Sequence, residues 1–168
     1  MLHLILGGAR SGKSRHALTT DSTGYSRQLF VATSEALDDE MQTRIEIHRS
    51  ERDHVWQTID APINLTTTLS TLDDSTSLIV VDCLTVWLGN LMHYERDIEA
   101  EVDKLVTFFL SAQAHYVVVS NEVGQGIVPD SKMGREFRDH QGRLNQALAA
   151  IAQRVELVVA GIPLSIKS

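Results

Sequence analysis

The stretch Gly7–Ser14, GGARSGKS, has the spacing G-x-x-x-x-G-K-[ST] and is the part of this sequence with the most explicit chemistry. Glycines let a turn bring backbone N–H groups close around phosphate oxygens, where side chains would obstruct them. Gly7, Gly8, Ala9, Arg10, Ser11 and Gly12 are therefore expected to form the cradle of a phosphate-binding loop. Lys13 is placed to reach the outer phosphates and Ser14 to ligate Mg²⁺. A P-loop needs a carboxylate at the end of a neighbouring strand to hold the metal's water shell. Asp82, after the apolar run SLIVV, occupies that place; the competing reading is a strand-end aspartate that caps the next helix.

A second constellation lies in RIEIHRSER, residues 44–52. On a helix, Arg44, His48 and Arg52 fall at i, i+4 and i+8, and so on one face. Arginine forks suit phosphate, and a neutral imidazole is a nucleophile near physiological pH. By spacing alone the alternative is an ordinary solvated helix face.

These residues must be positioned by strands and helices. LHLIL before the P-loop, RQLFVAT, SLIVV, AHYVVVS and VELVVAGI read as buried strands. A helix is expected from about Lys13, another over LDDEMQTRIEIHRSERD, and a long one over SKMGREFRDHQGRLNQALAAIAQR, with Phe137, Leu144, Leu148 and Ile151 near one face. Residues 56–72 read as a short edge strand followed by a helix from about Pro62. Apolar strands alternating with helices predict an α/β P-loop NTPase-type (RecA-like) fold: a mostly parallel sheet with helices on both faces, in a single domain over residues 1–168. Ligands of such sheets sit beyond the carboxyl ends of the strands. The loops after Leu6, Ala32, Val81 and Ser120 converge there, and Asn121 and Glu122 of NEVGQG are expected to face the cleft.

Composition narrows the function classes. A formal net charge of −7 disfavours a nucleic-acid surface, so any nucleotide site is locally basic. The single cysteine, Cys83, fits a reducing compartment. No apolar run has membrane-spanning length and no secretory leader is legible, so a cytoplasmic protein is expected. No N-K-x-D guanine-reading motif occurs, which disfavours a regulatory GTPase. Three readings remain open from the residues alone: an enzyme with chemistry at two phosphates, a small-molecule kinase that uses Arg44 and Arg52 as clamps, and a nucleotide-binding module without catalysis.

The ordered blocks GGARSGKSRHA, ATSEALDDEMQTRIEIHRSER, NEVGQGIVPDS with GREFRDHQGRLNQALA, and VVAGIPLSIK resemble the bifunctional adenosylcobinamide kinase/adenosylcobinamide-phosphate guanylyltransferases of cobalamin biosynthesis. The resemblance implies phosphorylation of adenosylcobinamide by GTP or ATP. It then implies transfer of GMP from GTP to that phosphate, through a guanylylated histidine that is His48 by position. It also implies that Ala32, Thr33, Ser34, Arg49, Ser50, Glu51, Arg52 and Asp60 line the nucleotide site, and that the protein is a homo-oligomer, a trimer in this family.

Overall fold

The computed structural model describes residues 1–20, 22–35 and 55–168. Its frame is a seven-stranded sheet of order β3-β2-β4-β5-β1-β6-β7. The strands are β1 (Leu2–Gly7), β2 (Arg27–Ala32), β3 (Gln57–Asp60), β4 (Ser77–Asp82), β5 (His115–Asn121), β6 (Arg154–Val159) and β7 (Ile162–Lys167). Every pairing is parallel except that of β6 with β7. The central strands are apolar on both faces: Leu78–Val81 and Tyr116–Val119 are all fully buried. A strand covered on both sides has no solvent face on which to place polar residues.

The helices are α1 (Lys13–Leu18), α2 (Leu65–Leu72), α3 (Leu84–His93), α4 (Ile98–Ser111) and α5 (Lys132–Ile151). The period-2 alternation of the strands sorts the core into two layers. Leu4, Val31, Ile79, Val81, Tyr116 and Val118 pack against Leu65 and Leu69 of α2, Trp87 and Leu91 of α3, Leu105 and Phe109 of α4, and Leu144 and Leu148 of α5. On the opposite face Ile5, Phe30, Val80, Val117 and Val119 meet Ala17 and Leu18 of α1. Helices therefore lie on both faces, and among the described residues the second face is covered mainly by α1. The expected helix over LDDEMQTRIEIHRSERD lies outside the described residues.

Local chemistry explains the ends of these elements. Asp97 begins α4 by accepting a hydrogen bond from the Ala100 N–H at 3.0 Å, and Ser131 begins α5 by accepting from Gly134 N–H at 3.1 Å. Asp73, just after α2, accepts from the Gln113 and Ala114 N–H groups and from the Tyr116 hydroxyl, which locks the start of β5. Residues 56–72 form the edge strand β3 and helix α2, as their pattern predicts, with α2 starting at Leu65. The final hairpin departs from expectation. VELVVAGI is β6 plus a two-residue turn at Ala160 and Gly161, both at positive φ (51° and 81°), and β7 returns antiparallel. A two-residue connection can join only antiparallel neighbours, because a parallel return needs a crossover.

Candidate active site

The register of the ladders aligns the strand ends. Ala32 pairs with Asp60 on one side and Asp82 on the other, Asp82 pairs with Val119, and Gly7 pairs with Asn121 and Val158. Paired residues of a parallel ladder share a face. Asp60, Ala32, Asp82, Asn121 and Gly7 thus all project on the α1 side, at the carboxyl edge of the sheet. Five segments far apart in sequence meet there because the crossovers return each strand in the same direction.

Between β1 and α1 the chain makes the P-loop. Arg10 (φ 56°) and Gly12 (φ 95°) both adopt left-handed conformations, a geometry that curls the backbone so that successive N–H groups face one concavity. Gly8, Ala9, Arg10 and Gly12 are exposed, whereas Ser11 and Lys13 are buried and Ser14 is half-buried at the start of α1. The Lys13 ammonium donates to the Gly8 carbonyl at 3.0 Å, so it curls back over the loop it follows. Burial pushes the Lys13 pKa down, and the Asp82 carboxylate works against that shift. Cys83 beside it is pushed up to about 11 by burial and is a neutral thiol at neutral pH.

The loop is held from outside by β6 and β7. Gly161 N–H donates to the Ser11 carbonyl at 2.8 Å. A Cβ on Gly12 would lie 3.2 Å from Gly161 Cα, and one on Gly7 would lie 2.5 Å from Ser11 Oγ and 2.8 Å from the Val158 carbonyl oxygen. Gly7 and Gly12 are thus needed for close packing against the rest of the protein, whereas a Cβ on Gly8 would meet open space. Behind the loop, the buried Glu156 carboxylate accepts from His3 Nε2 at 2.9 Å and His16 Nε2 at 2.8 Å, and it also pairs with Arg154. Burial pushes the Glu156 carboxyl up, but the His16 and Arg154 hydrogen bonds and the charges of His3 and Arg154 outweigh it and hold the group below the usual carboxylate range. This cluster fastens α1 to β1 and β6. The cluster leaves no trace in the sequence, because histidines at positions 3 and 16 and a glutamate at 156 have no local spacing signal.

Thr33, expected to line the nucleotide, is fully buried. Its hydroxyl donates to the Cys83 carbonyl at 2.7 Å and takes the Cys83 N–H at 2.8 Å. Its side chain therefore ties the end of β2 to the segment that carries Asp82. Asn90 of α3 clasps the same place by donating to the Thr33 and Pro62 carbonyls. Ser34 follows, half-buried, and Asp60 is exposed at the tip of β3. Arg44, His48, Arg49, Ser50, Glu51 and Arg52 lie outside the described residues. Ser14 and Asp82 offer a hydroxyl and a carboxylate, the hard oxygen donors that Mg²⁺ prefers, at the end of the sheet where the Lys13 ammonium also lies. The donor set fits that cation. When bound, Mg²⁺ would neutralise phosphate charge there.

The packing of Gly7 makes the loop testable by a single methyl group. Gly7→Ala should cost roughly 1–3 kcal/mol in chemical unfolding, as overpacking against a backbone carbonyl does. It should also weaken GTP binding by about tenfold or more in calorimetric titration, because the cradle must open to admit the methyl. Wild-type affinity would show that the loop repacks without cost.

A family model described as cobinamide kinase / cobinamide phosphate guanyltransferase matches residues 3–166. The bifunctional adenosylcobalamin biosynthesis protein CobU of Escherichia coli is 41% identical to this chain, and the match covers 99% of this chain and 100% of the relative. CobU of Salmonella typhimurium is 40% identical with the same coverage. The bifunctional protein CobP of Pseudomonas aeruginosa is 38% identical over 99% of this chain and 98% of the relative. With its P-loop, its strand-end aspartate and near-complete coverage by that model, this chain belongs to the cobinamide kinase/cobinamide phosphate guanyltransferase family.

Proposed function

We propose that this protein carries out two successive reactions at one triphosphate clamp. In the first, the aminopropanol hydroxyl of adenosylcobinamide takes the γ-phosphoryl group of GTP or ATP. In the second, GMP from GTP is joined to that phosphate and pyrophosphate leaves, giving adenosylcobinamide-GDP. The observation that carries this reading is the single Gly7–Ser14 cradle, with Lys13 folded against it and Asp82 on the same face of the sheet. Family membership supplies the substrate class.

Lys13 and the loop amides serve both steps. In the kinase step they stabilise charge on the transferred and leaving phosphates. In the transferase step the same groups hold the departing pyrophosphate. Ser14 and Asp82 would hold Mg²⁺. The nucleophile of the second step is His48 in this reading. Its imidazole nitrogen bonds to the α-phosphorus as the α–β bridging P–O bond breaks. A cobinamide phosphate oxygen then displaces the imidazole. Arg49, Ser50, Glu51, Arg52, Ala32, Thr33, Ser34 and Asp60 complete the nucleotide site. No described helix is long and apolar enough to cross a membrane, and we place the enzyme in the cytoplasm.

A homotrimer completes the reading. It is supported by the outer strand β7, whose Ile162, Leu164 and Ile166 are exposed, as is Val159 of β6. An apolar sheet edge of this kind is a template for further pairing and is normally covered.

Four measurements test these roles. His48→Asn should lower GMP transfer by at least about 10³-fold, while keeping cobinamide phosphorylation and GTP binding near wild type. GMP bound to the wild-type protein should be lost in mild acid and survive base, as a phosphoramidate does; acid-labile GMP label on the Asn variant would place the nucleophile elsewhere. Asp82→Asn should raise the Mg²⁺ concentration needed for half-maximal phosphorylation by about 10- to 100-fold and change nucleotide affinity less; an unchanged Mg²⁺ titration would leave Asp82 a structural role. Sedimentation equilibrium should give three times the 18.6 kDa chain mass, and Leu164→Lys should shift it toward one; a wild-type monomer would reject the trimer.

A further inference from the structure

Asn121 ends β5 between the strand of Asp82 and the strand of the P-loop. Its backbone is unusually well secured for a residue at the mouth of a loop. Its N–H donates to Thr85 Oγ1 at 2.7 Å, one turn after Asp82. Its carbonyl accepts from Asn145 Nδ2 at 3.0 Å. The next residue, Glu122, donates its N–H to the Gly7 carbonyl at 3.0 Å. Asn145 is in turn oriented by a buried chain: Gln141 Nε2 donates to Ser120 Oγ at 2.8 Å, and Ser120 Oγ donates to Asn145 Oδ1 at 2.7 Å. Ser120, Gln141 and Asn145 lie on the helix-rich face of the sheet, while the pleat sends the Asn121 side chain to the opposite face, that of Asp82 and Gly7.

All this fixes the Asn121 backbone and leaves its side-chain oxygen unused; Gln141 Oε1, in the helix-rich layer, is unpartnered as well. Asn121 Oδ1 is shielded from solvent and has no hydrogen-bond partner among the described residues. Buried polar atoms are nearly always satisfied, and an exception calls for a ligand or an ordered water. Glu122, its neighbour, is not a competitor for that role, because its carboxylate turns back to accept from Gly124 N–H at 2.6 Å. The Lys13 ammonium touches the Gly8 carbonyl, one residue from the Gly7 that pairs with Asn121. The unused oxygen therefore flanks the end of the loop where the outermost phosphate is clamped. A carboxamide oxygen accepts hydrogen bonds but is too weak a base to remove a proton. It is poorly suited to a phosphate oxygen, which is itself an acceptor, and well suited to a hydroxyl.

We propose that Asn121 Oδ1 receives the hydrogen bond of the attacking substrate hydroxyl and holds its oxygen in line with the γ-phosphorus. This rests on the kinase reading above and assigns a residue to its nucleophile. In the step, the hydroxyl oxygen forms the new P–O bond, and the bond from the γ-phosphorus to the β-bridging oxygen breaks with its electron pair on the departing nucleoside diphosphate. The hydroxyl proton leaves to solvent water. The rigid support of Asn121 is what such positioning requires, because a side chain that drifts by about 1 Å can cost about 100-fold in rate. The GMP-transfer reaction has a phosphate rather than a hydroxyl as its acceptor, and it should not need this oxygen.

The test compares both reactions in one preparation of Asn121→Ala. Phosphorylation of adenosylcobinamide should fall about 100-fold in kcat, with the KM for the nucleotide near wild type. GMP transfer to preformed adenosylcobinamide phosphate should stay within a few-fold of wild type. The ratio of the two activities is independent of any unfolded fraction, so a destabilised variant still gives an answer. A proportional loss of both reactions would show that Asn121 merely supports the P-loop and would overturn the proposal, as would undiminished phosphorylation. A wild-type enzyme that transfers GMP but phosphorylates no cobinamide would overturn the kinase reading and this inference with it. That outcome is separable because it shows before any substitution is made.

Discussion

An ammonium group that is almost closed off from water has to stay charged and in place, and the rest of the site follows from that requirement. Lys13 is 8% exposed. Burying a cation without partners costs far more than a domain can spare. Here the Gly8 carbonyl accepts from it and the Asp82 carboxylate favours its charged form, against the effect of burial. Both are weak partners compared with a polyphosphate. Lys13 is therefore a cation held by a backbone dipole and the field of a carboxylate, a balance that a nucleotide phosphate takes over in the function proposed above. A protein of net charge −7 can attract a polyanion only through such a concentrated local positive potential.

That geometry persists because the loop is fastened on several sides. Toward the sheet edge, the Ala160–Gly161 turn brings the Gly161 N–H onto the Ser11 carbonyl. Beneath the helix, Glu156 gathers His3, His16 and Arg154, so that the short α1 does not depend on its own few internal hydrogen bonds. Toward β5, the Glu122 N–H reaches the Gly7 carbonyl. The fastenings come from the turn between β6 and β7, from β6 itself and from the residue that follows β5. Rigidity at the loop is thus a property of the sheet, and a preorganised cradle avoids reorganisation at the moment of phosphoryl or nucleotidyl transfer.

The two faces of the sheet divide labour. One carries most of the described helices and the larger of the two apolar clusters, with Trp87 and Tyr116 fully buried. The other carries α1 and, at its carboxyl edge, the candidate active site. The buried Ser120–Gln141–Asn145 chain joins them, because it sits in the helix-rich layer yet ends on the backbone of Asn121 at the working edge. Core packing of α5 and orientation of the site are therefore coupled through a few hydrogen bonds. The directional hydrogen bonds of such a network specify one arrangement, whereas apolar contacts alone would tolerate several.

The Gly7–Ser14 loop was legible in the sequence because it is local: its glycines, lysine and serine fall within one short segment, and their spacing encodes their geometry. Strand identity was equally legible in SLIVV and AHYVVVS, since a strand buried on both faces must be continuously apolar. Asp82 could be named because it directly follows such a run. The antiparallel β7 was not foreseen, because an apolar tail after a glycine reads the same whether it ends the chain loosely or turns back on the sheet. The fastening of α1 by Glu156 was hidden for another reason: His3, His16 and Glu156 become neighbours only when β1 and β6 pair. The same holds for Asn121. Its place at the cleft could be inferred from the end of a strand, but the pinning by Thr85 and Asn145, and the unpartnered state of its side-chain oxygen, arise from strand order and helix packing. Local spacing determined which groups could touch phosphate; the order and register of the sheet decided which of them share a face and what holds each one still.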